Sequence, residues 1–279
     1  MINSKGTLYL VATPIGNLKD FTFRGVSILE EVDFVLAENT NKTKILFERY
    51  GIKNKLVLFN DFSTENKVQS LVYNISKGKN AALVSDAGTP LISDPGTNLV
   101  EAAIREKIKI VPIPGPSSFT SALIASGLSA EKFIFYGFLP KKKGELTKLL
   151  ENIKFETKTQ IFFESPKRIK KSLSIIQKVF NSNQKIVIAR ELTKIHEEFY
   201  RGKVSDLSEI MSNTSNNLEK GELVILLEGA HEKYEIDYHL EEILFKELKP
   251  LLTLRQVAKI ISKISPKNSK EIYNFFLKK

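Results

Sequence analysis

The 279-residue chain contains no cysteine. Disulfides, thiolate metal sites and cysteine nucleophiles are therefore excluded. Histidine is nearly absent too: His196, His231 and His239 lie scattered, without metal-ligand spacing. No apolar run approaches the ~18 residues of a membrane span. The opening stretch, "MINSKG", lacks the apolar region of a signal peptide. No Gly-x-x-x-x-Gly-Lys-Ser/Thr run is present, and no Gly-x-Gly-x-x-Gly follows the first apolar segment. Both are hallmarks of phosphate cradles, so a nucleoside triphosphate or dinucleotide is disfavoured. There is no internal repeat. These absences lead us to expect a soluble, cytoplasmic protein with no structural metal and no membrane partner.

What is present is a hydrophobic content of 42%, enough for real cores, and a net charge of +10. The charge is uneven. Residues 1–118 hold 14 Lys/Arg against 12 Asp/Glu, so only +2 lies there and +8 lies beyond. Residues 140–171 carry ten basic and four acidic side chains; residues 246–279 carry nine and two. Clustered positive charge suits a polyanion, because each neutralised phosphate releases counterions. Lysine-rich solvated helices are the plainer explanation.

The first half alternates apolar runs (7–12, 33–37, 56–59, 81–84, 108–113) with helix-like segments (23–31, 40–50, 65–77, 98–106). In the third of these segments Val68, Leu71, Val72 and Ile75 share one face. Gly51 is a plausible stop for the second. Such alternation predicts parallel strands covered by helices on both faces. A second α/β layer starts near Lys132. Its strands are expected at 133–136, 159–163, 185–189, 198–202 and 222–227, and its helices at 145–153, 168–179 and 204–211. Ser212–Glu219 reads as a polar loop. Near the end, Thr253 caps a helix over 253–264, with Leu254, Val257, Ala258, Ile261 and Ile264 on its apolar face. Ser265 and Pro266 break it, and a last helix covers 271–277. This small basic helical appendage is either a structural brace or an RNA contact.

Three loops stand out: "TPIGN" (13–17), "SDAGTPLISDPG" (85–96) and "PGPSS" (114–118). Each follows a strand of the first sheet, and ligands of open parallel sheets bind beyond the carboxyl ends of the strands. Glycine allows close backbone approach, proline stiffens the turns, and short hydroxyl side chains hold polar groups. One such loop would merely turn the chain; three at one edge point to a ligand cleft.

The motifs "ATPIGNLKDFTFRG" (12–25), "SDAGTPLISDPG" (85–96), "PGPSSFTSALIASGL" (114–128), "YGFLPKKKGE" (136–145), "FFESPKRI" (162–169), "ARELTKIHEEFYRG" (189–202) and "KGELVILLEG" (220–229) resemble, in order, those of the ribosomal RNA small subunit methyltransferase I family, of the tetrapyrrole methylase superfamily. The resemblance implies two α/β domains of tetrapyrrole methylase type, 1–120 and 121–233, with the cofactor cleft between them. A small C-terminal helical domain, 234–279, would follow. It implies S-adenosylmethionine as cofactor, 2′-O-methylation of a cytidine ribose in the decoding region of 16S rRNA within the small ribosomal subunit, and a homodimer. Position by position, it assigns cofactor contacts to Pro14, Ala87, Gly88, Thr89, Ile92, Ser117 and Ser118, and to Glu164 and Leu192 where the second domain closes. One motif departs: the family's Ala-Glu-Asp-Thr-Arg reads "AENTN" (37–41) here. Asn39 keeps the shape of Asp without its charge, and Asn41 cannot make the forked phosphate contact of Arg.

A ribose hydroxyl is a weak acid, so a group that assists loss of its proton is expected at the cleft mouth. Glu38, Glu164, Arg190, Glu191 and Lys194 are the candidates, since each sits in a motif near a strand end; a salt bridge or cap is the alternative for each. RNA phosphates are expected to meet Lys141, Lys142, Lys143, Lys167 and Arg168, with Lys42 and Lys44 supplying some of the charge lost at Asn41. Two other functions fit the same fold: methylation of a tetrapyrrole or other small molecule, and a non-enzymatic role in RNA binding or ribosome assembly.

Overall fold

A computed structural model describes residues 5–213, 218–230, 239–265 and 268–277. The chain divides into two compact units, residues 1–230 and 231–279. The boundary expected at 233–234 lies outside the described residues, as do Thr214–Asn217 of the expected polar loop and Pro266 of the expected helix break.

The larger unit contains two five-stranded sheets. The first is built from β1 (Thr7–Val11), β2 (Phe34–Ala37), β3 (Leu56–Leu58), β4 (Ala81–Val84) and β5 (Lys109–Ile113). Its order is β3-β2-β4-β1-β5, and every pair is parallel. All four residues of β2 and of β4 are buried, as expected of strands covered on both faces. Leu8, Leu36 and Leu83 face α3 (Glu65–Ser76) and α4 (Thr97–Arg105). Val35, Ala82 and Val84 face α1 (Phe23–Glu31) and α2 (Thr40–Tyr50). Val68, Leu71, Val72 and Ile75 of α3 are all buried, and Gly51 ends α2 with φ +70°. Truncating a fully buried leucine such as Leu36 typically costs about 2–5 kcal/mol.

The second sheet comprises β6 (Phe133–Phe138), β7 (Thr159–Glu164), β8 (Lys185–Arg190), β9 (Glu198–Lys203) and β10 (Leu223–Leu227), in the order β6-β7-β10-β8-β9. It is mixed: only β6 and β7 pair in parallel. Leu223, Ile225 and Leu227 face one core with α6 (Lys143–Ile153), α7 (Ile169–Val179) and α8 (Leu207–Asn213), while Val224 and Leu226 face the other. That second core is covered by a helix the sequence did not announce, α5 (Ser118–Ser126). Reading Ser118 as the end of a Pro/Gly loop hid it; Ser118 is its first residue. Ile15, from the loop after β1, joins Ala122, Leu123, Val187, Leu192 and Val224 in this core, so it ties the two sheets together.

Two further expectations change. Ser212 and Asn213 belong to α8, not to a loop. A short 3₁₀ turn, Val204–Asp206, precedes α8.

The smaller unit contains α9 (His239–Leu248), for which the sequence pattern offered no signal, α10 (Leu254–Ile261) and α11 (Ser269–Leu277). Val257, Ala258, Ile261, Ile272 and Phe276 form its core, and the Phe245 and Phe276 rings stack at 3.9 Å. Thr253 caps α10 as expected, but the helix stops at Ile261. Ile264 is consequently 61% exposed rather than part of the apolar face.

Candidate functional site

The carboxyl ends of β1, β2, β4 and β5 deliver four segments to one edge. The loops are bound to each other before any ligand is considered. Thr13 and Gly88 exchange backbone N–H···O bonds, both 2.9 Å. The Ser85 hydroxyl donates to Gly88 O at 3.1 Å, and the Thr89 hydroxyl donates to Pro116 O at 3.1 Å. Gly88 takes φ +82°, and a Cβ there would lie 3.3 Å from the Ile15 side chain. Left-handed backbone is also forced on Leu91 (φ +70°) and Ser93 (φ +65°) in this loop, and on Glu191 (φ +50°) and Thr193 (φ +65°) after β8. Such strain costs of order 1 kcal/mol or more per residue and persists where surrounding structure holds it.

Between this edge and the second sheet lies a cavity of about 380 Å³, of the size that takes a small organic ligand. Ala87, Gly88, Thr89 and Ile92 line it from the long loop, and Ser117 and Ser118 from the third. Leu192 and Glu164 line it from the second sheet. Pro14 does not; its neighbour Ile15 takes that place. The cavity also receives residues that motif reading passed over: Asp86, Ser93, Asp94, Phe138, Phe163 and Glu222. The two aspartates were visible in the loop sequence, but only the fold shows both facing the same space.

The wall is acidic. Burial, and then the charge of Asp86, pushes the Glu38 carboxyl above its ordinary value. Burial, reinforced by the charge of Glu38 and partly offset by a hydrogen bond with Ser85, pushes Asp94 up to about 7. Asp86 pairs through Oδ2 with Lys42 Nζ at 2.7 Å. Its Oδ1 is buried without a protein partner. Lys42, with its side chain 61% exposed, thus stands at the cavity rim.

The remaining catalytic candidates are differently placed. Glu164 is fully buried, and its oxygens accept from Ser165 N (2.7 Å), the Ser172 hydroxyl and the Arg168 guanidinium. A carboxylate so saturated anchors the turn after β7. Arg190, Glu191 and Lys194 do not line the cavity. The Arg190 guanidinium donates to the carbonyls of Lys220 and His196 and to Glu198, each at 3.0 Å. Glu191 accepts from Glu222 N at 2.9 Å and from Lys194 Nζ at 2.8 Å. Burial opposes ionisation of both Glu191 and Lys194, but these mutual contacts prevail, lowering the carboxyl and raising the ammonium. Lys194 also reaches Glu222, itself a lining residue of the cavity, at 3.2 Å. Lys141, Lys142, Lys143 and Lys167 are exposed outside it. Arg168, expected to face phosphate, instead bonds Glu164 and the Leu139 carbonyl (3.1 Å).

A model of the Tetrapyrrole (Corrin/Porphyrin) Methylases matches residues 7–208. The chain is 41% identical over 277 residues to the ribosomal RNA small subunit methyltransferase I of Streptococcus pyogenes serotype M3 (strain ATCC BAA-595 / MGAS315), covering 98% of this chain and 95% of that one. It belongs to that family. The family protein of the same name from Thermotoga maritima is 44% identical over 224 residues, 80% of this chain and 99% of its own. Among solved structures, the cobalamin biosynthetic enzyme cobalt precorrin-4 methyltransferase superposes with a TM-score of 0.58 at 20% identity, covering 80% of this chain and 94% of its own. At that identity the likeness establishes the tetrapyrrole methylase fold.

Ribosomal RNA small subunit methyltransferase I proteins use S-adenosylmethionine, the cofactor of this fold. The cavity fits it. The ligand carries a sulfonium and an ammonium, and the wall offers Glu38, Asp94, Glu222 and the orphaned Asp86 Oδ1. Its adenosine needs apolar surface, which Ile15, Phe163 and Leu192 provide. At the first position where the family motif departs, the side chain has a structural task. Asn39 caps α2, its Oδ1 accepting from the N–H groups of Asn41 (3.0 Å) and Lys42 (3.4 Å). Asn and Asp serve that position about equally well.

Proposed function

We propose that this chain is the S-adenosylmethionine-dependent enzyme that methylates the 2′-hydroxyl of a cytidine ribose in 16S rRNA of the small ribosomal subunit. The observation that carries the reading is the cavity itself, acidic and tied together on the first-sheet side, with the exposed lysines 141–143 following three residues after Phe138 of its lining. Bound there, S-adenosylmethionine supplies a methyl group already activated by its sulfonium charge. The chain's own task is then to align an acceptor oxygen, exclude water and accept a proton. Of the five sequence candidates, only Glu38 faces the cavity with its carboxylate not saturated by close donors, Asp86 N lying at 3.5 Å. Asp94 joins it. A carboxyl near 7 is poised to take a proton and release it at neutral pH. Ala87, Gly88, Thr89, Ile92, Ser117, Ser118 and Leu192 hold the cofactor in this reading, and Arg190, Glu191 and Lys194 position the loop that carries Leu192. The domains at 1–120, 121–233 and 234–279, a cytoplasmic location and a homodimer belong to the same reading; light scattering tests the last.

The decisive experiment incubates the protein with labelled S-adenosylmethionine and small ribosomal subunits lacking the modification, then maps the label. A 2′-O-methylcytidine in 16S rRNA is the expected product. Cofactor binding with no label on RNA would move the acceptor to a small molecule or leave an RNA-binding role without chemistry.

A further inference from the structure

β6 does not run straight into α6. Its pairing with β7 is regular from Phe133 to Phe135 and then shifts before Phe138. Gly137, with φ +69°, sits in the irregularity. A bulge of this kind re-aims the side chain that follows it, and bulges recur beside active sites. Here the side chain is Phe138, which lines the cavity and yet is 57% exposed. A large ring left open at the mouth of a ligand cavity needs an explanation, because its neighbours are well packed. Leu139 is buried, its N–H donates to Phe163 O at 3.0 Å, and its carbonyl accepts from Arg168 at 3.1 Å. The Phe163 ring supports Phe138 edge-on with centroids 5.4 Å apart. The backbone beside the ring is therefore anchored, the ring itself rests against Phe163 with much of its surface open, and from three residues later Lys141, Lys142 and Lys143 are all exposed.

We infer that Phe138 is a stacking platform for a nucleobase of the RNA acceptor, at the target nucleotide or its immediate neighbour, with Lys141–Lys143 holding the adjoining phosphates. The inference rests on the RNA reading of the function and adds a specific binding element to it. Unstacked bases are commonly held on aromatic faces, whereas a duplex offers none to a single ring. The buried Leu139 and the Arg168 brace hold the backbone that carries the ring, so the main chain loses little order on binding.

The test measures equilibrium binding of small ribosomal subunits lacking the methyl group to the wild type and to the variants Phe138→Ala, Phe138→Leu and Phe138→Tyr. Cofactor affinity and thermal midpoint are measured alongside. Alanine is expected to weaken subunit binding about 5- to 150-fold, the usual range for losing one stacked base. Tyrosine restores it and leucine does not. The slope of affinity against salt stays that of the wild type, because no charge is removed. Rescue by leucine, unchanged binding by the alanine variant, or loss of cofactor affinity in that variant would each overturn the inference, the last by assigning the ring to the cofactor's adenine. Because the ring is exposed, alanine leaves no core cavity, and the unchanged thermal midpoint distinguishes lost stacking from lost folding. If the wild type itself neither binds nor methylates these subunits, the RNA reading fails before the platform is tested.

Discussion

The carboxyl edge of the first sheet and the β6–α6 corner of the second reach the same cavity by opposite means. The first turns inward. Its loops bond to one another, accept left-handed backbone at Leu91 and Ser93, and gather carboxylates at Glu38, Asp86 and Asp94. The second turns outward, raising one ring on a bulge and following it with exposed lysines. A small cationic cofactor needs the first design, in which little rearranges on binding. A large polyanion needs the second, in which charge and an open face meet a surface arriving from outside. Changes on the two sides should thus separate cleanly into cofactor effects and RNA effects.

The largest separation is expected from Gly88→Val. A β-branched residue at φ +82° is strained, and its Cβ would press on Ile15. The Thr13–Gly88 bridge then opens, and S-adenosylmethionine affinity falls about 100-fold by calorimetry, equivalent to ~3 kcal/mol. Affinity for ribosomal subunits measured without cofactor should hardly change. Equal loss of both affinities would show that the two sides are not independent.

Replacing Lys141, Lys142 and Lys143 together by glutamine gives the mirror image. Every phosphate that no longer meets a lysine flattens the slope of log affinity against log salt by about one, so a change of up to about three is at stake. Subunit affinity at physiological salt should fall roughly 10- to 100-fold. Cofactor affinity should stay put. Little stability is at risk, since the ion pair that the change removes, Lys142 with Glu145, is exposed.

Parts of the two regions were legible in the sequence, for reasons that differ by element. The first sheet announced itself because fully buried parallel strands are short uninterrupted apolar runs punctuated by Gly and Pro. Its ligand edge followed from the rule for such sheets. Helix α5 was hidden because "PGPSS" reads as a loop right up to the residue that starts it. Helix α9 went unread for lack of a start signal as clear as Thr253. The sequence placed Glu164, Arg190 and Glu191 in promising motifs, yet could not show that their charges were already spent on Arg168, Glu198 and Lys194. Nor could it show Asp94 in the cavity: proximity to Glu38 and Asp86 is a property of separate segments brought together.

That crowding has a measurable cost. An unfolded aspartate ionises near 3.9, whereas folded Asp94 does so at about 7. Between those values the folded state holds more protons than the unfolded one, so this group lowers stability as pH rises and its effect levels off above 7. Because Asp94 is partly exposed, the loss is on the order of 1–2 kcal/mol rather than the full shift. Asp94→Asn removes the charge. The variant should gain on the wild type between pH 5 and pH 8 in urea titrations, with the difference shrinking toward pH 4. A constant offset across that range would place the carboxylate in a more solvated position than the cavity wall.

The smallest effect sharpens the contrast at its hinge, where α2 begins beside the cavity. Asn39 accepts two backbone N–H groups there, as a capping residue does. Asn39→Ala should cost about 1 kcal/mol of stability. Asn39→Asp should cost or gain only a few tenths, because the favourable charge at a helix N-terminus is opposed by nearby Glu38 and Asp86. Cofactor affinity and methyl transfer in the Asp variant should stay within a few-fold of the wild type. If the aspartate variant instead speeds methyl transfer tenfold or more without changing stability, position 39 carries a charge-dependent role in this family that capping does not supply. The Asn in this chain would then mark a site tuned for slower turnover.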